Sequence, residues 1–225
     1  MTDTSALLLA LQHADGQFPG GGFAFSWGLE GLFADQRLTR DDLGAFIGGQ
    51  LRHRWGGFDR PVIARAHEVA DDRDALADLD SLVEAWSLAA PQRDGSRRAG
   101  AALLGLHARL GTPGAADYRR RVTTGSAYGH LTVVQGVVWR GIGLPIGTAQ
   151  AVSAYIFAAG LATAAIRLGA ASHMDAQHAL TTLRPAIAAM LDQPVPPLTA
   201  LHAFSPLAEI AMVRQGRKAM RLFAN

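Results

Sequence analysis

An all-α fold, a bundle of about eight to ten helices, is predicted by three observations on this sequence. Ala and Leu, strong helix formers, are abundant among the 225 residues, and β-branched runs are short. Apolar residues return at helical spacing from one end of the chain to the other. No stretch of useful length alternates apolar and polar residues as a strand does, and no segment repeats. With 49% apolar and 18% charged residues, the chain has the balance of a compact protein with a substantial core. No Pro-, Gly- or Ser-rich linker divides it, so one domain over residues 1–225 is expected.

The elements follow in order. Residues 5–14 read as a short apolar helix capped by Asp3 or Thr4. Gly16 to Gly22 form a glycine-rich turn around Pro19, and Phe23 to Ala34 resume the helical pattern. Thr39 is placed as an N-cap, with Asp41 and Asp42 in the first turn and Leu43, Phe46, Ile47 and Leu51 on one face. Asp59 ahead of Pro61 predicts a fresh helix start, running to Ala70. Leu76, Leu79, Val83 and Trp86 make an apolar stripe, with Asp78, Asp80 and Glu84 turned outward. A helix from about Ser96 to Leu110 is expected to bury Leu103, Leu106 and Leu110 and to stop at Gly111-Thr-Pro-Gly114. Helices over 127–139 and 148–170 are divided by Gly141-Ile-Gly-Leu-Pro145. Asp175 caps the next, which is expected to kink at Pro185. Val195-Pro-Pro197 is a break, and a last helical segment begins near Pro206.

Composition narrows the function classes. There is no cysteine, which excludes disulfides and thiolate metal sites and favours a reducing, intracellular location. The opening Met1-Thr-Asp-Thr-Ser lacks the basic flank of a signal peptide, so the cytoplasm is expected. Ala149 to Leu168 has the length of a membrane span, but Gln150, Ser153, Tyr155, Thr163 and Arg167 interrupt it. A buried central helix, and no membrane, is the better reading. The net charge is only +2, and the arginines are scattered, with Arg119-Arg120-Arg121 the tightest run; Lys218 is the only lysine. A nucleic-acid binder concentrates its cations among aromatics, so no nucleic-acid partner is expected.

A phosphate-cradling loop ending in Gly-Lys-Ser/Thr is missing, and Gly20-Gly21-Gly22 lacks the strand that should precede one. No His-Glu-x-x-His occurs; His173 and His178 are five apart and off a common helix face. Ser126 and Ser26 are not in a nucleophile elbow, and a helical Ser126–His130 hydrogen bond would lack a third orienting group. No catalytic residue, resident metal or cofactor is expected.

Two ends carry docking chemistry instead. Phe204, Leu207, Ile210 and Ala211 fall at i, i+3, i+6 and i+7, an apolar stripe that either folds back on its own domain or enters a partner groove. Near the start, Phe23, Phe25 and Trp27 supply large apolar area, which a second helix layer covers or an interface uses. Asp15 and Glu30 are candidates for N-cap or interface hydrogen bonds.

The series Asp15…Phe18-Pro19…Gly22-Phe23-Ala24…Ser26…Gly28-Leu29-Glu30 resembles the opening of the UreF family of urease accessory proteins. Ser96-Arg97-Arg98…Gly100…Leu103-Leu104 is similar to the family's middle, and Gly129-His130…Gly136…Gly143-Leu144-Pro145, Tyr155, Arg167-Leu168-Gly169 and Gln177 follow in its order. Phe204-Ser205-Pro206-Leu207…Ile210-Ala211-Met212…Arg221-Leu222-Phe223 resembles its ending. The chain departs from that pattern at Phe25, where His is frequent, at Ala159-Gly160, and at Gln215-Gly216 in place of a His-Glu pair.

The resemblance implies an all-helical, non-catalytic, homodimeric protein that binds a UreD/UreH-type accessory protein and recruits the GTPase UreG. That assembly loads nickel, with a carbamylated lysine, into apo-urease, and the nucleotide and nickel chemistry belong to the partners. Carried onto this chain, the partner-binding residues are Phe23, Phe25, Trp27, Glu30, Phe204, Ser205, Pro206, Leu207, Ile210, Arg221, Leu222 and Phe223. The alternatives are an unrelated helical regulatory or ligand-binding domain, and a helical hydrolase or transferase, which the lack of an organised polar cluster disfavours.

Overall fold

The computed structural model describes residues 4–20, 25–215 and 223. The fold is all-α, as the sequence predicts, with no strand among the described residues. In order come α1 (Thr4–Ala14), α2 (Leu29–Ala34) and α3 (Leu43–Gln50), which passes through a π-helical stretch (Leu51–Asp59) into α4 (Arg60–Glu68). Then follow α5 (Arg73–Trp86), α6 (Ala90–Arg109), α7 (Ala115–Thr123) and α8 (Leu131–Gly141). The long α9 (Ile146–Arg167) and α10 (His173–Leu191) lead through a 3₁₀ turn (Leu198–Ala200) to α11 (Pro206–Gln215).

Local chemistry explains where the boundaries differ from expectation. The pattern over Phe23–Ala34 becomes helix only at Leu29, because Trp27 (φ 50°) and Gly28 (φ 85°) make a left-handed turn before it. Thr39 is not the cap of α3; Asp42 is the N-cap residue, and its carboxylate accepts the Thr39 N–H (2.9 Å) and hydroxyl (2.6 Å). Asp59 does not start a helix, since the backbone is already helical when it reaches Pro61. Pro61 has no N–H for the carbonyl of Gly57. That carbonyl instead accepts from His202 N–H at 3.1 Å. The Arg-rich α7 was not foreseen: only Ala115 and Tyr118 are buried on it, too few to show a period. α10 is capped by Ser172, with Asp175 completing a reciprocal capping box, and it continues through Pro185 to Leu191.

Two apolar clusters fill the interior, and α9 runs through both. The first gathers α4, α5, α6, α7 and α8 around Val62, Ile63, Leu104, Val134 and Trp139, and takes Ala149 and Val152 from α9. The second gathers α2, α3 and α10 around Leu29, Ile47 and Trp55, with Ala154, Ala158, Leu161 and Ala165 of α9. The alanines let neighbouring helices approach α9 closely. By length and apolar content α9 is the one described helix that could cross a membrane, but 61% of its most apolar window is buried inside the protein. Arg60 ties the clusters together. It donates to Gln150 Oε1 (2.6 Å) and to the carbonyls of Met190 (2.7 Å) and Gln193 (2.6 Å) at the end of α10.

The polar residues of α5 reverse one expectation. Asp80 does not face outward; it is fully buried. Leu76, Leu79, Asp80 and Val83 sit at i, i+3, i+4 and i+7, so helix geometry itself puts Asp80 on the core face. Its carboxylate accepts the Tyr118 hydroxyl (2.9 Å) and the backbone N–H groups of Tyr128 (2.7 Å), Gly129 (2.7 Å) and His130 (3.1 Å). Those three N–H groups are thereby withdrawn from helix, which is why α8 begins at Leu131 and not at 127. Burial, and then Asp80, push the Tyr118 hydroxyl pKa far up. Glu84, also expected outside, is mostly enclosed and pairs with Arg97 (3.0 Å), Arg93 (3.4 Å) and His130 Nε2 (2.8 Å). Leu110, expected in the core, is exposed, and Leu106 is half-buried.

Candidate docking surface

α11 is approached by a segment fastened to the π-helical stretch. His202 N–H donates to Gly57 O, and Phe204 N–H donates to His53 O at 2.9 Å. From there α11 lies with Ala208, Ala211, Met212 and Gln215 buried against α2. The contact is made by small residues. A side chain at Gly28 would put its Cβ 2.3 Å from the carbonyl oxygen of Ala208, and one at Gly31 would sit 2.6 Å from that of Ala211. Gly28 is doubly constrained, by this contact and by its positive φ.

The predicted stripe therefore divides. Ala211 belongs to the seated face, whereas Phe204, Leu207 and Ile210 are 71%, 62% and 50% exposed. Val213, 42% exposed, extends the outer face and was not picked out in the sequence, although its three-residue spacing from Ile210 marks it. Pro206 is exposed at the first position of α11, and the hydroxyl of Ser205 lies 3.5 Å from Gln50 Oε1. This outer face is a row of large apolar side chains on a helix whose other face is already occupied.

At the front end, Phe25 is buried and Trp27 half-buried, their rings stacked at 5.0 Å. The Arg54 guanidinium lies 3.8 Å above the Trp27 ring, a cation–π contact, and reaches Asp59 at 3.4 Å. Burial lowers the Arg54 pKa, with Asp59 and Glu209 opposing it, and burial raises that of Asp59 with Arg54 opposing. Glu30 is buried on α2, and Phe223 is buried with Arg167 4.6 Å from its ring. Phe25, Glu30 and Phe223 thus lie beneath the surface, while Phe204, Leu207 and Ile210 stand on it. Phe23, Arg221 and Leu222 lie outside the described residues.

No group of three or more His, Asp or Glu able to hold a metal ion occurs among the described residues. His130 does not bond Ser126. Its Nδ1 is 3.2 Å from Ser96 Oγ and its Nε2 2.8 Å from Glu84. The order Ser–His–Glu is that of a hydrolytic triad, but Ser96 Oγ also accepts Leu131 N–H at 3.2 Å and Glu84 is held by two arginines. These bonds make a lock between α5, α6 and the start of α8.

The geometry defines an all-α protein that presents an apolar helix face near its C-terminal end, while Asp80, Glu84 and His130 are spent on internal bonds. The chain belongs to the UreF family of urease accessory proteins: the family's profile, described as UreF, matches residues 38–184. The urease accessory protein UreF of Paenarthrobacter aurescens (strain TC1) is 31% identical, with 96% of each chain covered. That of Arthrobacter sp. (strain FB24) is 30% identical over 99% of both chains. That of Bacillus sp. (strain TB-90) is 29% identical over 96% of this chain and 98% of its own. The family carries an accessory role to urease, exercised with other urease accessory proteins.

Proposed function

We propose that this chain is a non-catalytic adaptor of urease maturation. It binds a UreD/UreH-type accessory protein, recruits the GTPase UreG, and so supports the insertion of nickel into apo-urease. Nickel is the cargo of that assembly, and the GTP chemistry resides in UreG. The chain acts as one domain, as a homodimer, in the cytoplasm.

The observation that carries this reading is the outer face of α11, where Leu207, Ile210 and Val213 are solvent-exposed on a helix already seated on α2, with Phe204 exposed just ahead of it. A helix presenting apolar anchors at regular spacing is suited to a hydrophobic groove on a partner. Membership of the UreF family makes a urease accessory protein the natural owner of that groove. In the same reading Phe25, Trp27 and Glu30 act from below, holding α2 where it can support α11.

The test is co-expression with the cognate UreD/UreH-type protein and UreG, followed by size-exclusion chromatography with light scattering. The wild-type chain is expected in a stable ternary peak. The double variant Phe204→Asp, Ile210→Asp is expected to elute alone with unchanged helical circular dichroism. A ternary peak retained by that variant would remove α11 from the interface.

A further inference from the structure

Besides its seat on α2, α11 is held through the segment that leads into it. Two N–H groups of that segment bond to the π-helical stretch, His202 to Gly57 O at 3.1 Å and Phe204 to His53 O at 2.9 Å. The donors are two residues apart and the acceptors four apart. Two residues of extended chain span about 6.7 Å and four residues of helix about 6 Å, so a segment laid antiparallel along one helix face meets both carbonyls. The first acceptor is open because Pro61, four residues on, has no N–H to offer Gly57 O. Only Ser205 separates the second bond from Pro206, where α11 begins, and the Ser205 carbonyl already accepts Glu209 N–H at 2.9 Å. A shift of the segment is therefore passed directly to the helix.

The segment lies closest to the π-helical stretch at Gly57. A Cβ there would sit 2.5 Å from His202 Nε2 and 2.6 Å from the His202 carbonyl oxygen. The imidazole can swing aside, but the carbonyl moves only if the backbone lifts. A Cβ at Gly49, on α3 of the same helical run, would meet nothing within 4 Å. Gly57 is buried beneath the segment, out of reach of anything docked on the outer face of α11.

We propose that residues 202–204 are a latch that sets the orientation of α11, and that Gly57, the seat of the latch, is a positioning residue for partner docking. The second half rests on the reading of α11 as the docking helix. A partner's apparent affinity is reduced by the fraction of chains in which the helix is out of place. The latch keeps that fraction small before the partner arrives, which is preorganisation without contact.

The experiment compares Gly57→Ala with Gly49→Ala in the full-length chain. Alanine is the better helix former at both sites, so neither change should weaken the helical run itself. In Gly57→Ala, hydrogen exchange of the His202 and Phe204 amides and of α11 should quicken about tenfold or more through loss of two hydrogen bonds, with α8 unchanged. Affinity for the cognate UreD/UreH-type protein, read by titration calorimetry, should fall at least about threefold. Gly49→Ala should match the wild type in both measurements. Unchanged protection of α11 in Gly57→Ala, equal quickening in α8, or the same effect from Gly49→Ala would overturn the latch. A loosened α11 with wild-type affinity would overturn the positioning role. Should the Phe204→Asp, Ile210→Asp variant still bind, the docking reading and the positioning role fall together, and the exchange comparison alone judges the latch. If Gly57→Ala does not fold, the wild-type chain decides: its His202 and Phe204 amides should exchange as slowly as those of α11, and free-amide rates there would overturn the latch.

Discussion

The loop entering α8 and the C-terminal helix α11 are fixed by opposite means. At the first, a single buried carboxylate, Asp80, gathers three backbone N–H groups and a tyrosine hydroxyl. At the second, Gly28 and Gly31 bring two backbones together, the alanines of α11 fill the gap, and one partly exposed ion pair, Arg214 with Asp35 at 3.9 Å, spans the end of α2. A buried polar centre cannot be loosened without stranding every group attached to it. A contact of small residues holds a helix chiefly by shape and leaves its other face free to carry large apolar side chains. The contrast matches the roles: one region keeps the scaffold rigid, and the other presents a surface.

The sharpest way to break this contrast is Asp80→Ala. It strands buried donors on Tyr118 and on the 128–130 backbone, and we expect a loss of about 3–4 kcal/mol in urea unfolding. A loss below about 1 kcal/mol would mean that water replaces the carboxylate with ease. Acid makes the next largest change, at a third site. Burial, and then the neighbouring His13, hold His107 down at about 4, against 6.5 for the free side chain. Between those values the unfolded chain binds a proton that the folded chain refuses, so stability is full above pH 6.5 and is lost as pH falls toward 4. From pH 7 to 5 the decrease should be about 2 kcal/mol. In His107→Gln that slope should flatten, and an unchanged slope would assign it to other groups.

Gly31→Ala probes the other region. Its Cβ would meet the Ala211 carbonyl, so α11 should lift from α2 at a cost of about 1–2 kcal/mol. Hydrogen exchange should quicken in α11 but not in α8, and equal quickening in both would mean that the two regions open together. The smallest effect on stability belongs to the double variant Phe204→Asp, Ile210→Asp. Its exposed side chains should change the free energy of urea unfolding by no more than about 0.5 kcal/mol, although partner binding is expected to be lost.

Much of this was legible in the chain itself. Helical spacing in α3, α5, α9 and α10 marked those elements, and the outward row of Phe204, Leu207 and Ile210 was visible in part as a stripe. The stripe's own rule misled at Ala211, because i+7 groups a residue with the large apolar ones whether or not a neighbour has room only for a methyl group. Asp80 was misread because charge outweighed position, although its spacing from Leu76 already put it on the core face.

The sequence by itself determined the all-α class, most helix positions, the absence of thiol chemistry and the kinship with UreF, since periodicity, composition and collinear motifs are properties of the chain order. Only the tertiary structure decided which face of α11 is free and which acid lies in the core. Both depend on what a distant segment brings: the glycines of α2 and the 128–130 backbone. Local spacing encodes a helix and its faces, but the neighbour that closes a face is chosen by packing across the whole molecule.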